Sequence, residues 1–287
     1  MRTMLRSGSK EVVIGDDQPF CIIGERINPT GRKAFQEQLR QGDLSSVEVD
    51  VARQVAGGAM VLDVNMGAPL VDEVELMDRA VRLVQSLTDL PLCIDSSVID
   101  ALDAGLRAYE GKALVNSVTA EEDRLAAILP LVKRYGAAVV MLPNDETEIP
   151  EDPRRRLELV GRLVDVATGR YGLAVEDIVI DPLAMPIGAD TTLVNRTLET
   201  IHLVHEKFGI NMTLGASNVS FGMPDRIAIG AAFLPMAMAL GLTSAIMDSR
   251  SADLVRAVKA ADLLLDRDPW GANWIAAHRA RQPSEGP

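Results

Sequence analysis

The chain has 287 residues, 47% hydrophobic and 24% charged, a globular composition with room for a sizeable core. Acidic residues outnumber basic ones by 41 to 29, for a formal net charge of −12, so a nucleic-acid or membrane partner would need a local basic patch. The densest basic run, Arg154-Arg155-Arg156, is short, is flanked by Asp152 and Glu158, and reads as a solvated helix start. No run of about 18 apolar residues marks a transmembrane helix, and Lys10, Glu11, Asp16 and Asp17 interrupt any signal-peptide-like stretch. Cys21 and Cys93 lie in apolar runs and read as buried thiols of a reducing compartment, which excludes a disulfide framework. The expectation is a soluble cytoplasmic protein that binds neither nucleic acid nor membrane.

Short β-branched runs alternate with helical-period segments along the chain. The predicted strands are Phe20–Gly24, Met60–Val64, Leu92–Asp95, Ala113–Asn116, Ala137–Leu142, Ile178–Asp181, Met212–Gly215 and Ser244–Asp248. Between them, Val71-Val74-Leu76-Met77-Ala80-Val81-Val84 and Leu157-Val160-Leu163-Val164-Ala167 repeat at helical spacing. Glu121-Glu122-Asp123 opens one helix, and Gly136 and Gly172 follow others. Eight β–α units imply a parallel sheet covered on both faces. With no reversal or composition break, a closed (β/α)8 TIM barrel over residues 20–265 is favoured over an open doubly wound sheet. Residues 1–19 read as a cap or short hairpin over the barrel bottom. Residues 266–287 read as an extension carrying Trp270 and Trp274 and ending in a polar, disordered tail.

Barrel active sites lie at the C-terminal ends of the strands. Those ends read Glu25-Arg26-Ile27-Asn28, Asp63-Val64-Asn65, Asp95-Ser96-Ser97, Asn116-Ser117, Asn144-Asp145, Asp181-Pro182, Ser217-Asn218 and Asp248-Ser249. Helix capping and turn preference account for Ser97 and Asp145, but less well for Asp63, Asp95, Asn116 and Asp181, which directly terminate apolar strands. The ring contains no histidine: His202 and His205 share a helix and His278 lies in the C-terminal extension, so no zinc site is expected. The acids alone could hold a hard cation. Mixed Asp and Asn ends instead suit a planar polar heterocycle, because a carboxylate accepts two parallel bonds and an amide both donates and accepts. No phosphate loop, G-x-G-x-x-G, G-x-S-x-G or low-pKa cysteine setting is present.

Gly24-Glu25-Arg26-Ile27-Asn28, Leu62-Asp63-Val64-Asn65, Ile94-Asp95-Ser96-Ser97, Val115-Asn116-Ser117, Ile180-Asp181-Pro182 and Gly215-Ala216-Ser217-Asn218-Val219-Ser220 occur in that order. Together the set resembles the pterin-binding barrels of methyltetrahydrofolate:corrinoid protein methyltransferases and the folate module of cobalamin-dependent methionine synthase. The resemblance implies a pterin-binding TIM barrel in which Asp95, Asn116 and Asp181 hold the pterin ring and Asp63 and Asn65 form the neighbouring strand end. It implies that Gly215, Ser217 and Asn218 form the loop whose asparagine reaches the methyl-bearing nitrogen, and that Arg226 lies near the folate. Asn218 is then the catalytic residue. Tetrahydrofolate or 5-methyltetrahydrofolate would be the substrate, and cobalamin would arrive on a separate corrinoid protein, since the cobalt-ligating Asp-x-His-x-x-Gly motif is absent. A homodimer is also implied.

Two alternatives stay open from sequence: a dihydropteroate synthase-like condensing enzyme, and a barrel that binds reduced folate without catalysis. Against the first, strand one lacks the synthase's Asn-x-Thr-Pro-Asp motif and strand eight reads Met247-Asp248-Ser249-Arg250 without histidine. Residues 144–152 and 219–226 are the expected rim of a broad mouth, with Asp145, Glu146 and Glu148 as charges for a modest, polar docking surface. Met236, Met238 and Met247 are expected in the core.

Overall fold

The computed structural model describes residues 1–147 and 149–280; Glu148 and the polar tail expected to be disordered lie at least partly outside the described residues. An antiparallel hairpin, β1 (Arg2–Arg6) and β2 (Glu11–Gly15), comes first. A parallel eight-stranded sheet follows, with β3 (Cys21–Ile27), β4 (Val61–Asn65), β5 (Leu92–Asp95), β6 (Leu114–Thr119), β7 (Ala138–Leu142), β8 (Ile178–Ile180), β9 (Asn211–Met212) and β10 (Ser244–Met247). The hydrogen-bonded order is β10-β3-β4-β5-β6-β7-β8-β9. Outside it lie α1 (Lys33–Arg40), α2 (Ser45–Gly57), α3 (Glu73–Leu87), α4 (Ile99–Ala108), α5 (Glu122–Tyr135), α6 (Pro153–Asp165), α7 (Leu193–Phe208), α8 (Arg226–Ala239) and α9 (Ala252–Leu264), with α10 (Ala272–Arg279) packed on α9. This is the TIM barrel that the alternation predicts.

Local chemistry starts and stops these helices where the sequence suggests. The Asp72 carboxylate accepts the Glu75 N–H at 3.1 Å to open α3, and Asp152 accepts from Arg154 at 2.9 Å just before Pro153 opens α6. Gly136 takes the left-handed conformation that ends α5, with φ of 60°. No helix among the described residues is long and apolar enough to cross a membrane.

Two apolar shells form because strand residues alternate sides. Leu62, Val64, Ile94, Val115, Val139 and Ile180 face the helices. Cys21, Ile23, Val61, Cys93, Leu114, Ala138, Val140 and Val179 face inward, where Leu5, Val12 and Ile14 of the hairpin join them. Both cysteines are free and buried. The hairpin thus closes the barrel bottom, and polar bonds fix it there. The Asn211 amide donates to Thr3 Oγ1 and to the Ile14 carbonyl, both at 2.9 Å, and Arg6 and Lys112 exchange backbone bonds.

The structure departs from the sequence expectation at β9, which is two residues long rather than four. Past Met212 the regular ladder thins to single bonds, the Thr213 N–H to the Ile180 carbonyl at 3.0 Å and the Ile246 N–H to the Leu214 carbonyl at 2.9 Å, before a tight turn at Ala216–Asn218. The seam to β10 is therefore closed by one parallel bridge, Gly215 to Ile246, and by side chains. The Thr243 hydroxyl accepts the Met212 N–H at 3.0 Å and donates to its carbonyl at 3.1 Å, while Ser244 Oγ donates to the same carbonyl at 2.9 Å. Met236 is the other correction. Met238 and Met247 are buried, but Met236 is 53% exposed on the outer side of α8.

Thr243→Val keeps the shape of the seam but leaves the buried Met212 N–H without its acceptor. We expect a loss of about 1–3 kcal/mol, seen as a fall of several degrees in the thermal unfolding midpoint. An unchanged midpoint would show that the seam does not depend on this hydroxyl.

Candidate active site

The same alternation that builds the apolar floor dictates what stands above it. Two residues beyond Ile23, Val61, Cys93, Leu114, Val179 and Ile246 on their strands come Glu25, Asp63, Asp95, Asn116, Asp181 and Asp248. Each repeats its predecessor's inward side, so six strands put a carboxylate or amide above the apolar floor, while β7 puts Leu142 there. Asn65 stands one step above Asp63. Parallel pairing aligns Asn65 with Asp95 and Asp95 with Asn116, side by side at the mouth.

Hydrogen bonds order this layer. Asn65 Nδ2 donates to Asp95 Oδ2 at 2.9 Å, while Asn65 Oδ1 accepts the Gly67 N–H at 2.8 Å, so Asn65 is occupied in orienting Asp95. Asn116 Nδ2 reaches Asp63 Oδ1 at 3.4 Å, and Asp63 is only 2% exposed. Asp181 Oδ1 accepts the Leu183 N–H at 2.8 Å. The nominated Asp63, Asn65, Asp95 and Asn116 therefore stand on the adjacent strands β4, β5 and β6, with Asp181 at the same end of the barrel beyond β7. Glu25 and Asp248, read as strand ends but not nominated, join them. The period-two step from Cys21 through Ile23 to Glu25 is the signal that could have placed Glu25 inside.

The loop after β9 holds the remaining nominated residues. Gly215 leads into the turn that carries Ser217 and Asn218, and Ser217 stands beside the Glu25 carboxyl, where it acts to lower its pKa. A Cβ on Gly215 would lie 2.9 Å from Asn218 Nδ2, so the bare glycine leaves room for the amide. Asn218 is exposed at the rim. Arg226 ties this loop together, donating to the Ser217 carbonyl at 2.6 Å and to Ser220 Oγ at 3.2 Å. Among the described residues, no group of three or more His, Cys, Asp or Glu is placed to hold a metal ion.

Of the acidic rim residues, Asp145 is withdrawn from solvent while Glu146 stays exposed. The Asp145 side chain is 7% exposed and binds Arg155 at 3.0 Å. Glu146 accepts the Glu122 N–H at 2.8 Å and so caps α5. Both charges are used to fix the loop, and Glu148 lies outside the described residues. Exposed apolar side chains stand on the rim too: Leu70, Val98, Ile149 and Phe221 follow β4, β5, β7 and β9. Arg156, expected in solvent, is fully buried.

Residues 24–248 match the family model described as pterin binding enzyme. The chain is 31% identical over 255 residues to a methylcorrinoid:tetrahydrofolate methyltransferase of Eubacterium limosum, covering 87% of this chain and 92% of that protein. It belongs to the pterin-binding enzyme family. Among solved structures, dihydropteroate synthase from Xanthomonas albilineans with 4-aminobenzoic acid superposes with a TM-score of 0.68 at 19% identity, covering 92% of this chain and 98% of that one. The Yersinia pestis enzyme with a pterine-sulfa conjugate gives 0.67 at 16%, covering 92% and 99%. At such identity these two show a shared fold.

In this pterin-binding barrel the carboxyls are expensive to ionise. Burial pushes Asp95 up from 3.8 to about 6, with Glu73 adding to it and the Asn65 hydrogen bond opposing it. Burial likewise raises Asp181 to about 6, against the Leu183 N–H and the Arg156 charge. Asp63 is raised further, by burial and then by the Asp95 charge, and Glu25 by burial and then by Asp248. Asp248 goes the other way. Burial acts upward on it, but Arg250 chelates it at 2.8 and 2.7 Å and holds it below the usual range.

A carboxyl whose folded pKa is raised stabilises the fold below its unfolded value and loses that contribution as pH rises through the folded value. Asp95→Asn removes the penalty while keeping an oxygen for Asn65. At pH 7.5 we expect a gain of about 1–3 kcal/mol in the ligand-free protein, read as a thermal midpoint several degrees higher. The gain should shrink as the pH falls through 6 and disappear only below the unfolded value of about 3.9. A variant less stable than wild type at pH 7.5 would contradict the electrostatic reading.

Proposed function

We propose that this enzyme moves a methyl group between the nitrogen of 5-methyltetrahydrofolate and the cobalt of a corrinoid carried by a separate protein. The observation that carries the proposal is an inward layer of aligned carboxylates and amides, open above, in a chain 31% identical to a methylcorrinoid:tetrahydrofolate methyltransferase. Asp95, Asn116 and Asp181 match the N–H and amino edge of a pterin, which a carboxylate accepts in pairs. Asp63 fixes Asn116, Asn65 fixes Asp95, and Ser217 and Arg226 shape the loop beside the folate. The likeness to dihydropteroate synthases is one of fold.

The chemistry needs no protein nucleophile. A tertiary amine releases methyl slowly because the nitrogen would depart as a poor anion, and a hydrogen bond at that nitrogen improves it as a leaving group. Asn218 is assigned that hydrogen bond, and the barrel supplies orientation and fixed dipoles. In the reverse direction the same site receives methyl onto tetrahydrofolate nitrogen. The two buried thiols accord with a reducing cytoplasm.

A corrinoid protein must dock over the mouth, and the rim residues Leu70, Val98, Ile149 and Phe221 support an apolar contact ring there. Leu70 is 92% exposed and held at φ 66°, a left-handed backbone that leucine rarely adopts. A second copy of the chain is assigned to the outer face of α8. Beyond Arg226 this helix carries no charge, yet Ile227, Ala228, Ala232 and Met236 are exposed.

Methyl transfer to a cobalt(I) corrinoid, followed by the cobalt absorption, tests the site. Asn218→Ala should hold tetrahydrofolate within a few-fold of wild type while transfer falls by about 100-fold. Gly215→Ala should have a similar, smaller effect by displacing the Asn218 amide. Equal losses of affinity and rate would remove Asn218 from the chemistry.

Leu70→Asn suits the same backbone and removes the apolar contact. We expect the Michaelis constant for the corrinoid protein to rise several-fold with tetrahydrofolate affinity unchanged. Weakened tetrahydrofolate binding would make Leu70 part of the pocket wall.

A further inference from the structure

Arg156 sits in α6, outside the ring of strand ends, yet it is completely buried. A guanidinium keeps its charge at any physiological pH, so its burial must be justified by what it binds. Its bonds go to two mouth loops. Nε donates to the Pro150 carbonyl at 2.6 Å in the β7–α6 loop. Nη1 donates to the Pro182 carbonyl at 2.9 Å and the Leu183 carbonyl at 3.1 Å in the β8–α7 loop. Those carbonyls immediately follow Asp181.

The second loop is bound on three sides. The Leu183 N–H donates to Asp181 Oδ1, and Thr197 Oγ1 of α7 donates to the Leu183 carbonyl at 3.0 Å. Leu183 itself lies at φ 63°. A non-glycine residue in that conformation persists only when its surroundings hold it, and Arg156 and Thr197 are the holders. Arg156 is bonded only to carbonyl oxygens, and its Nη2 is buried without a hydrogen-bond partner among the described residues. The charged groups that act on it are Asp181, Glu151 and Arg196, and the last two are paired with each other.

We infer that Arg156 is a positioning residue for Asp181: its fork fixes the loop that aims this carboxylate, and its unpaired charge favours the ionised form that accepts the substrate's N–H groups. This rests on the pterin reading of the site. It also explains why a full charge is used where a neutral donor could satisfy the same carbonyls. Burial acts against ionisation of Asp181 and Arg156 acts for it, leaving the group near pH 6 and ionised at neutrality. Removing the cation moves that balance toward the protonated acid.

The test is tetrahydrofolate affinity by calorimetry from pH 5 to 8, for wild type, Arg156→Met, Arg156→Gln and Arg156→Lys. Wild type should lose affinity on the acid side near pH 6, where Asp181 and Asp95 both take up protons beside the raised Asp63 and Glu25. Asp95, Asp63 and Glu25 are common to every variant, so a shift between variants reads Asp181. The neutral variants should move the midpoint of that loss upward by about one pH unit, a tenfold change in the proton equilibrium. Arg156→Lys should keep the midpoint but bind several-fold more weakly at pH 8, because lysine cannot reproduce the planar fork. If the neutral variants keep the wild-type midpoint, the electrostatic role is overturned. Should those variants fail to fold, the lysine variant decides alone, and wild-type affinity at pH 8 would overturn the positioning role. A wild-type protein that binds no tetrahydrofolate at any pH would instead remove the pterin reading and leave the loop geometry standing.

Discussion

The constraint on which the site depends is the burial of several carboxyl groups on top of an apolar barrel floor. Period-two alternation sends residues i and i+2 to the same side, so polar groups two residues beyond the floor have no route to the outside. Asp63, Asp95, Asp181 and Glu25 must lose most of their hydration, and each is raised above its ordinary pKa as a result. Such groups lower the stability of the empty fold at neutral pH. A ligand that donates several N–H bonds would replace the missing hydration, and under the proposed function that exchange is the physical basis for recognising a pterin edge.

Other parts of the structure hold this layer in place. The hairpin carries Leu5, Val12 and Ile14 into the barrel bottom and completes the floor. Hydroxyls of Thr243 and Ser244 close the seam that the two-residue β9 leaves short. Behind the wall, Arg32 binds Asp50 at 2.7 Å, and Gln54 accepts the Arg26 N–H at 2.9 Å, tying α2 to the strand end that bears Glu25. Arg250 takes Asp248 out of the set of raised acids. The mouth is thus supported by charged groups that do not enter it.

Sequence periodicity made the barrel legible because its strands are near-continuous apolar runs separated by helices of ordinary length. The nominated Asp63, Asp95, Asn116 and Asp181 were legible for a related reason: an acid or amide that ends an apolar strand has little local use as a cap. Less visible were effects that depend on distant partners. Arg156 and Arg155 look alike in sequence, but one turns under two loops and the other faces solvent. Asp145 and Glu146 look like free rim charges, yet Arg155 and the α5 N-terminus occupy them. Met236 differs from Met238 only in which side of α8 it occupies, and α8 is apolar nearly all round, so its pattern could not say which side is outward.

The reaction proposed for this mouth is methyl exchange between folate nitrogen and cobalt. Mixing the wild-type protein with 5-methyltetrahydrofolate and a cobalt(I) corrinoid, and recording the cobalt absorption, tests it most directly. Methylcobalt should form in step with tetrahydrofolate, and the reverse mixture should regenerate cobalt(I). No change in the cobalt spectrum in either direction, with dihydropteroate formed from p-aminobenzoate and the pterin diphosphate, would contradict the account and assign the barrel to condensation chemistry.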